Sequence, residues 1–511
     1  MKRTALRKTC WSFCLAFSFV IGSSSAFAAA PAKNSPAKVI TDDSPLPKNL
    51  KDSTSFAPVI KKVAPSVVNI YTTKTTREAP RLHPFFNDPF FERFFGPQFR
   101  GQLQPRERTE RSLGSGVIVS SDGYVLTANH VVDGADEVKV ALATGEQEFA
   151  AKIIGNDPLT DIAVLKLDEE KPWQAVTLAD DTKLEVGDRV LAIGNPFGIG
   201  QTVTMGIVSG LERGGFGITS YENFIQTDAA INVGNSGGAL VDAAGRLVGI
   251  NTAILSGSGG NIGVGFAVPI GMARYVMEQL INEGKVSRGY LGINPQQLTP
   301  DLAAQFGLPD ESSGVLVGGV MPDGAAAKAG LKEGDVILEV NGRKVTEPRH
   351  LQLTVAQTPP GSKVTLKILR GERGRKPAEK MLTATLGTLP QDAFARGGRP
   401  QQTEREGTTH DSLDGVEVTD LDPQIRRQNG IPNNIRGALV VNVESGSNAA
   451  EAGLQPGDVI LQINRQPVRD AEEAVALSEE AKGDKIMLQV WTPSGRGQGF
   501  TRFLVVDNRK R

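Results

Sequence analysis

Short runs of apolar, often β-branched residues are separated by glycine-containing and polar turns from Phe56 onward. Many short strands with turn signals between them are typical of an all-β barrel. The pattern predicts a mainly β barrel domain, which we place at residues 56–284. The clearest runs are residues 67–71, 117–119, 138–141, 190–193 and 247–250.

Helical spacing appears only near the end of this domain. Met272, Val276 and Leu280 recur every four residues after Pro269, with Tyr275 on the same side. This spacing predicts an amphipathic helix through Ile281 that closes the domain.

One segment then occurs twice. The pattern of residues 326–338 returns 123 residues later at residues 449–461, including the run Gly-Asp-Val-Ile-Leu. This offset is too long for a solenoid repeat and fits two tandem copies of one small domain. We place the copies at residues 285–390 and 412–508, joined by a polar linker at 391–411 that we expect to be mobile.

A phenylalanine-rich segment interrupts the first domain at residues 81–111. It holds seven of the chain's 21 phenylalanines and several prolines, so a regular strand is not expected there. An interaction surface and a loop packed on its own core are both open interpretations.

The N-terminus has the features of an export signal. Residues 1–28 contain four basic residues, a short apolar run at 11–21 and a small-residue cleavage pattern at 26–28. The apolar run is shorter than the roughly 20 residues a membrane helix needs, so an uncleaved anchor is the weaker alternative. Residues 29–55 are predicted to be a flexible leader. Cys10 and Cys14 both lie in the signal, so no disulfide or thiol chemistry is expected after cleavage.

Length and charge narrow the function classes. A chain of 511 residues is expected to form about three domains. Its formal charge of −1 becomes −5 without the four basic residues of the signal. A mildly acidic protein lacks the electrostatic footprint of a nucleic-acid binder.

The main candidate for chemistry is the serine in the Gly-Asn-Ser-Gly-Gly stretch at residues 234–238. Glycines beside Ser236 allow a tight turn that exposes the hydroxyl and directs backbone N–H groups toward one point. A serine nucleophile also needs a base and an orienting acid. His130, after an apolar run, is the candidate base, and Asp161, which opens another apolar run, is the candidate acid.

Chain order separates two classes of hydrolase. The Gly-x-Ser-x-Gly pattern also fits α/β-hydrolases, whose order is serine, acid, histidine and which would require His350 or His410 here. The order His130, Asp161, Ser236 is that of chymotrypsin-like proteases.

Several motifs together carry a family resemblance. The chain resembles the HtrA/Deg family of bacterial periplasmic serine endoproteases, of the DegP, DegQ or MucD type. The resemblance implies a chymotrypsin-like double β-barrel with the catalytic residues between the barrels, followed by two PDZ domains. The matching stretches are residues 114–119, 127–132, 161–164, 194–198, 224–230 and 234–240.

In this interpretation Ser236 is the nucleophile, His130 the general base and Asp161 the residue that orients the imidazole. The N–H groups of Gly234 and Ser236 are expected to hold the oxyanion, with Asn235 shaping the loop. No metal or organic cofactor is implied.

Substrate specificity is less firmly indicated. Ala230 stands where trypsin-like enzymes carry an acid, which favours a small aliphatic P1 residue, although Asp228 nearby leaves this open. The predicted pocket residues are Ile231, Thr252, Ala253, Ile254, Leu255 and Ser256.

PDZ domains add an extended peptide to a sheet edge and hold its carboxylate in a loop of N–H groups. The first copy's candidate loop is formed by Tyr290, Leu291, Gly292 and Ile293. The second copy's is residues 413–416, where Asp414 makes the match looser and a role in assembly equally open. Arg213 resembles the sensor-loop arginine of related proteases, and a solvated loop arginine is the alternative.

The resemblance also implies a trimer or its multiples, unfolded envelope proteins as substrates, and a periplasmic location. No nucleic acid and no membrane segment after signal cleavage are expected. A chaperone or binding scaffold with an inert protease domain is the alternative function. The complete set of His130, Asp161 and Ser236 favours an enzyme, with which chaperone binding can coexist.

Overall fold

The strands and helices of the N-terminal half confirm the predicted mainly β architecture. The computed structural model describes residues 37–44, 55–76, 108–143, 147–195, 200–254, 261–309, 312–371, 376–390, 410–413, 415–495 and 498–509. The predictions for the export signal, the seven phenylalanines, most of the linker, Leu255, Ser256 and Asp414 lie outside these residues.

Two barrels form the first domain. Their strands are β1 (Thr41–Asp42), β2 (Val67–Thr76), β3 (Arg108–Ile118), β4 (Tyr124–Ala128), β5 (Glu137–Ala141), β6 (Glu148–Asp157), β7 (Ile162–Leu167), β8 (Thr177–Ala179), β9 (Arg189–Gly194), β10 (Thr202–Arg213), β11 (Phe224–Thr227), β12 (Ala239–Asp242), β13 (Arg246–Ile254) and β14 (Gly265–Pro269). The helices are α1 (Ala57–Val63), α2 (Asn129–Val132) and α3 (Ile270–Glu283).

The two barrels close by different pairings. Strands β2-β3-β4-β7-β6-β5 form a closed barrel, and β13-β12-β9-β10-β11-β14 form a second one closed by β13 and β14. Strand β1 lies in the predicted leader and pairs in parallel with β8, which in turn pairs with β13. Part of the leader is therefore attached to the second barrel.

Helix α3 confirms the helix predicted through Ile281. Its apolar side, including Met272, Val276 and Leu280, is buried in a core to which both barrels contribute. The helix ends at Gly284, whose φ of 70° is the left-handed conformation favoured by glycine at a helix C-terminus.

The first repeat folds as a sheet with helices against it. Its strands are β15 (Gly289–Tyr290), β16 (Ile293–Gln297), β17 (Val315–Val320), β18 (Val336–Val340), β19 (Arg343–Lys344), β20 (Lys363–Arg370), β21 (Ala378–Thr385) and β22 (Gly387–Thr388). Its helices are α4 (Pro300–Gln305), α5 (Ala325–Lys328) and α6 (Pro348–Ala356). The main sheet runs β16-β17-β18-β20-β21, so β16 is an edge strand.

The second repeat has a similar main sheet, but its short first strand, His410–Asp411, pairs with the strand that corresponds to β16. Its strands are β23 (His410–Asp411), β24 (Val416–Asp420), β25 (Ala438–Val443), β26 (Val459–Ile463), β27 (Gln466–Pro467), β28 (Lys485–Gly495) and β29 (Gln498–Asp507). Its helices are α7 (Pro423–Asn429), α8 (Asn448–Glu451) and α9 (Ala471–Glu480).

Strand β29 of the second repeat lies against β16 and β17 of the first. The Gln296 side chain donates to the Phe503 carbonyl at 2.6 Å and accepts from the Phe503 N–H at 2.9 Å. Phe306 and Phe503 meet edge to face with ring centroids 5.1 Å apart. The two repeats thus share an apolar core and a set of polar contacts. None of the helices in the described ranges is both long and apolar enough to span a bilayer.

Candidate active site

The predicted base and acid meet where β4 ends and β7 begins. His130 is in the short helix α2, and its Nδ1 lies 2.8 Å from Asp161 Oδ2 and 3.0 Å from Oδ1. The His130 N–H also donates to Asp161 Oδ1 at 3.0 Å, and the Asn129 N–H donates to the Asp161 carbonyl at 2.9 Å. Asp161 has a φ of 60°, which is uncommon for a residue other than glycine, and these bonds fix it.

The acid controls the protonation of the base. Burial by itself would lower the pKa of His130, but the negative charge and hydrogen bond of Asp161 raise that pKa above its ordinary value. An imidazole that donates from Nδ1 has Nε2 as its basic nitrogen, the atom that accepts a proton.

The predicted nucleophile lies in the turn between β11 and β12. The Ser236 hydroxyl is 3.3 Å from the Thr252 carbonyl oxygen, to which it donates, and the Thr252 hydroxyl donates to Asp161 Oδ2. Thr252 therefore connects Ser236 of the second barrel with the His130–Asp161 pair of the first. The sequence pattern predicts Thr252 only as part of the wall of the specificity pocket.

Ser115 is a residue of the site that the sequence analysis did not identify. Its N–H donates to the Ser236 carbonyl at 2.9 Å, and its hydroxyl donates to the Gly234 carbonyl at 2.6 Å. The same hydroxyl accepts from the Asn195 N–H at 2.9 Å. Ser115 lies in the matching stretch 114–119, which was the available signal, but nothing in that stretch shows that β3 holds the serine turn.

Gly237 is required by both conformation and space. Its φ is 82°, and a Cβ there would lie 2.2 Å from both the Ser115 carbonyl oxygen and the Thr127 hydroxyl. The turn can therefore reach the first barrel only because this residue has no side chain.

The backbone of the serine turn leaves two donors available. The N–H groups of Asn235, Gly237 and Gly238 donate to carbonyls within the turn and to Asn251. Among the described residues, neither the Gly234 nor the Ser236 N–H donates to a protein acceptor. These are the two donors predicted for the oxyanion.

Apart from Thr252, the described part of the predicted pocket is apolar. Ile231, Ala253 and Ile254 are buried, and the Asn261 side chain donates to the Ile231 carbonyl at 3.2 Å. Asp228, which left the specificity open, accepts from the Ile207 N–H at 2.7 Å, so its carboxylate is bound to β10. In the described ranges, no group of three or more His, Cys, Asp and Glu is arranged to hold a metal ion.

The predicted carboxylate loop lies at the start of the edge strand β16. Gly292 has a φ of 76°, and its carbonyl accepts from the Met321 N–H at 2.9 Å. The Leu291 carbonyl accepts from the Ala326 N–H at 2.8 Å, and the Tyr290 hydroxyl contacts Met321 Sδ at 3.0 Å. Ile293 begins β16 and is half-buried. The loop is thus fixed on one side, and among the described strands only β17 pairs with β16, which leaves the other edge of β16 without a paired strand.

Arg213 is the last residue of β10, and its Nε donates to Gln226 Oε1 at 3.0 Å. The preceding residue, Glu212, contacts α6 of the first repeat. There Arg349 donates to the Glu212 carbonyl, and His350 Nε2 lies 3.3 Å from Glu212 Oε2. His350 is therefore not placed to serve Ser236, as an α/β-hydrolase arrangement would require.

Comparisons with known proteins agree with this geometry. A model for trypsin-like peptidase domains matches residues 114–250, and models for PDZ domains match residues 279–369 and 439–492. The HtrA-type protease AlgW, solved with a decapeptide, is 48% identical, covers 66% of this chain and 99% of its own, and superposes with a TM-score of 0.53.

Two curated relatives match over almost the whole chain. A probable DegP-like periplasmic serine endoprotease from Chlamydia trachomatis is 41% identical over 471 residues, 89% of each protein. The periplasmic serine endoprotease DegP of Salmonella typhimurium is 41% identical over 439 residues, which cover 82% of this chain and 86% of DegP. The chain therefore belongs to the HtrA-type, DegP-like family of serine endoproteases, with a trypsin-like peptidase domain followed by two PDZ domains.

Proposed function

We propose that this endoprotease degrades unfolded or damaged proteins of the periplasm, with Ser236, His130 and Asp161 as its catalytic residues. The contact that best supports the triad is the connection of Ser236 to Asp161 through Thr252, together with the His130–Asp161 pair. The periplasmic location rests on the names of the relatives and on the export signal proposed at residues 1–28.

The geometry supports acyl transfer. Ser236 attacks the scissile carbonyl while His130 accepts its proton, and His130 then protonates the leaving amine. Asp161 holds the imidazole tautomer and stabilises the imidazolium. The free N–H groups of Gly234 and Ser236 are the donors we assign to the oxyanion.

The nucleophile is tested by Ser236→Ala. We expect no measurable cleavage of an unfolded protein but an unchanged thermal unfolding curve, because among the described residues the hydroxyl makes one hydrogen bond, at 3.3 Å. The wild-type enzyme is expected to cleave the unfolded protein faster than its folded form. Cleavage by Ser236→Ala preparations shown to be free of other proteases would contradict the assignment.

The first PDZ domain is proposed to capture exposed C-termini at the loop from Tyr290 to Ile293. The open edge of β16 supports this proposal, since PDZ domains add peptides as an extra strand. A peptide with an apolar C-terminal residue is expected to bind and to raise kcat/KM toward a second substrate. Gly292→Ala, which strains a φ of 76°, is expected to weaken binding measured by fluorescence anisotropy.

Arg213 is proposed to relay this capture to the peptidase domain, because its partner Gln226 lies on β11, the strand before the serine turn. The Arg213→Ala variant is expected to bind the same peptide with unchanged affinity and to react with a fluorophosphonate at Ser236. Its kcat/KM is expected not to rise when the peptide binds. If the peptide binds but cleavage is unchanged in the wild type, the PDZ domain serves only as a tether.

We also propose that the protein binds unfolded clients without cleaving them and that it assembles from a trimeric building block. The proposed domain limits are 56–284, 285–390 and 412–508. Ser236→Ala is expected to suppress aggregation of an unfolded client, measured by light scattering. Native mass spectrometry of the same variant tests the trimer and its multiples.

A further inference from the structure

A buried ion pair joins the first PDZ domain to the peptidase domain. Arg288 Nη2 lies 2.5 Å from Asp157 Oδ2, and the two side chains are 6% and 5% exposed. The guanidinium carbon of Arg288 also lies 4.7 Å from the centre of the Tyr221 ring. Charge pairing and stacking together fix the plane of the guanidinium.

Asp157 holds the turn that carries Asp161. It is the last residue of β6, and its Oδ2 accepts from the Thr160 hydroxyl at 2.5 Å while its carbonyl accepts from the Thr160 N–H at 3.2 Å. Thr160 is the residue directly before Asp161. The turn is held from the other side by the Tyr221 N–H, which donates to the Leu159 carbonyl at 3.0 Å.

The backbone of Arg288 belongs to the PDZ side of the junction. Its carbonyl accepts from the Leu389 N–H at 3.0 Å, and the next two residues form β15, which pairs with β22. Tyr290, the first residue of the proposed carboxylate loop, is two positions away. A single side chain therefore extends from the base of the PDZ domain to the turn of Asp161.

The two tyrosines near the pair, Tyr221 and Tyr275, are uncharged at neutral pH. Burial raises the pKa of Tyr221 to about 12, where Arg288 opposes the shift and Asp157 and Tyr290 add to it. Burial likewise raises the pKa of Tyr275, with the same opposing effect of Arg288 and smaller raising effects of Glu283 and Asp157. Arg288 and Asp157 are thus the charges that meet at this contact.

Buried ion pairs contribute little net stability, because desolvation of both groups offsets their attraction. The contacts of this pair point to a positional role. We propose that Arg288 is a positioning residue of the peptidase: by holding Asp157, it fixes the turn that presents Asp161 to His130. This inference rests on the proposed triad and adds to it a residue from outside the peptidase fold.

The test compares two buried pairs of the same kind. Asp157→Asn removes the negative charge of the Arg288–Asp157 pair with little change in shape, and Arg288→Lys keeps the positive charge but loses the planar contact. Asp242→Asn is the matched control, since Asp242 and Arg246 form a pair at 2.8 Å whose side chains are 1% and 6% exposed and make no contact with the triad. Functional sites are counted in each protein with a fluorophosphonate.

We expect Asp157→Asn to lower kcat per counted site by about tenfold or more with little change in KM, because misplacement of catalytic groups by about 1 Å can cost a hundredfold. The acid limb of kcat/KM is expected to move to lower pH, since a displaced Asp161 raises the pKa of His130 less. Arg288→Lys is expected to show the same two effects to a smaller degree and covers the case in which Asp157→Asn does not fold.

The control is expected to lose thermal stability without either kinetic effect. The proposal is overturned if Arg288→Lys and Asp157→Asn keep kcat per site within twofold and leave the acid limb in place. It is equally overturned if Asp242→Asn reproduces their changes. Failure of the triad itself would appear differently, as cleavage or fluorophosphonate labelling that survives in Ser236→Ala.

Discussion

At the scale of single residues, the site depends on two hydroxyl groups whose roles come from their positions. The Thr252 hydroxyl donates to Asp161, while the backbone carbonyl of Thr252 accepts from Ser236. The Ser115 hydroxyl donates to the Gly234 carbonyl, while the Ser115 N–H donates to the Ser236 carbonyl. Neither hydroxyl takes part directly in the proposed chemistry. Both hold the reacting groups of the two barrels in fixed positions relative to each other.

Thr252→Val is expected to lower kcat while leaving peptide binding unchanged. A hydrogen bond to a charged group contributes about 1.5–3 kcal/mol, which corresponds to roughly ten- to a hundredfold in rate. Thr252→Ser retains the hydroxyl and is the matched control, with kcat close to the wild-type value. Equal losses in both variants would indicate that packing of the methyl group is what matters.

The pH dependence of cleavage is expected to follow His130. Because Asp161 raises the pKa of His130, the imidazole becomes neutral only above the value of about 6.5 typical of a free histidine. The acid limb of kcat/KM should therefore lie above that pH. In Asp161→Asn the limb should move to lower pH and kcat should fall about 10⁴-fold. An unmoved limb would mean that another group titrates.

The residues that the sequence identified are those with chemical signatures. His130, Asp161 and Ser236 stand in recognisable patterns and in an informative chain order. Ser115 and the second role of Thr252 had no such signature, because each acts through contacts with segments that lie far away in the chain. The paired Arg288 and Asp157 were missed for the same reason.

At the scale of elements, the serine turn is held by contacts with both barrels. It crosses from the second barrel to the first and is held there by Ser115. Gly237→Ala is expected to destabilise the fold strongly, since strain at positive φ costs about 1–2 kcal/mol and the overlap at 2.2 Å adds about 1–3 kcal/mol. Gly187→Ala is the control, because Gly187 has a φ of 101° but no atom within 4 Å of such a Cβ.

Thermal unfolding of both variants in the Ser236→Ala background measures the difference without self-cleavage. Similar melting temperatures for the two would show that the contact with Ser115 and Thr127 is not limiting.

Apolar patterns predicted many elements correctly, and helix α3 was predicted almost to its end. Arg213 was expected in a loop but ends the long strand β10, because pairing with β11 extends this strand into the glycine-containing region. Short elements such as β1 lacked any pattern and depend on pairing with β8. The end of β10 and the formation of β1 therefore depend on tertiary contacts.

At the scale of the whole molecule, the two PDZ domains are joined by more than their linker. Strand β29 lies close to β17, where a Cβ on Gly319 would be 2.2 Å from the Thr501 hydroxyl. The repeat in the sequence predicted two copies but not their contact, since nothing in a repeat shows which surfaces of its copies meet.

Gly319→Val is expected to separate the PDZ domains while preserving the fold of each, because valine suits a strand. Gly387→Val is the control, since the nearest atom to a Cβ there is the Tyr290 carbonyl oxygen at 3.7 Å. Cysteines at Asp301 and Lys485, which form an ion pair across the contact, report it by cross-linking in a Ser236→Ala protein without Cys10 and Cys14. Equal cross-linking in both variants would show that the contact tolerates the added side chain.

The division of the site between two barrels also determines how the enzyme fails. His130 and Asp161 lie on one barrel and Ser236 on the other. A displacement of one barrel relative to the other is therefore expected to abolish cleavage before the chain unfolds. Moderate heating is therefore expected to abolish hydrolysis first, and the client binding proposed for the PDZ domains would outlast cleavage. Partial damage to such a protease ends cleavage, so the proteins around it are spared.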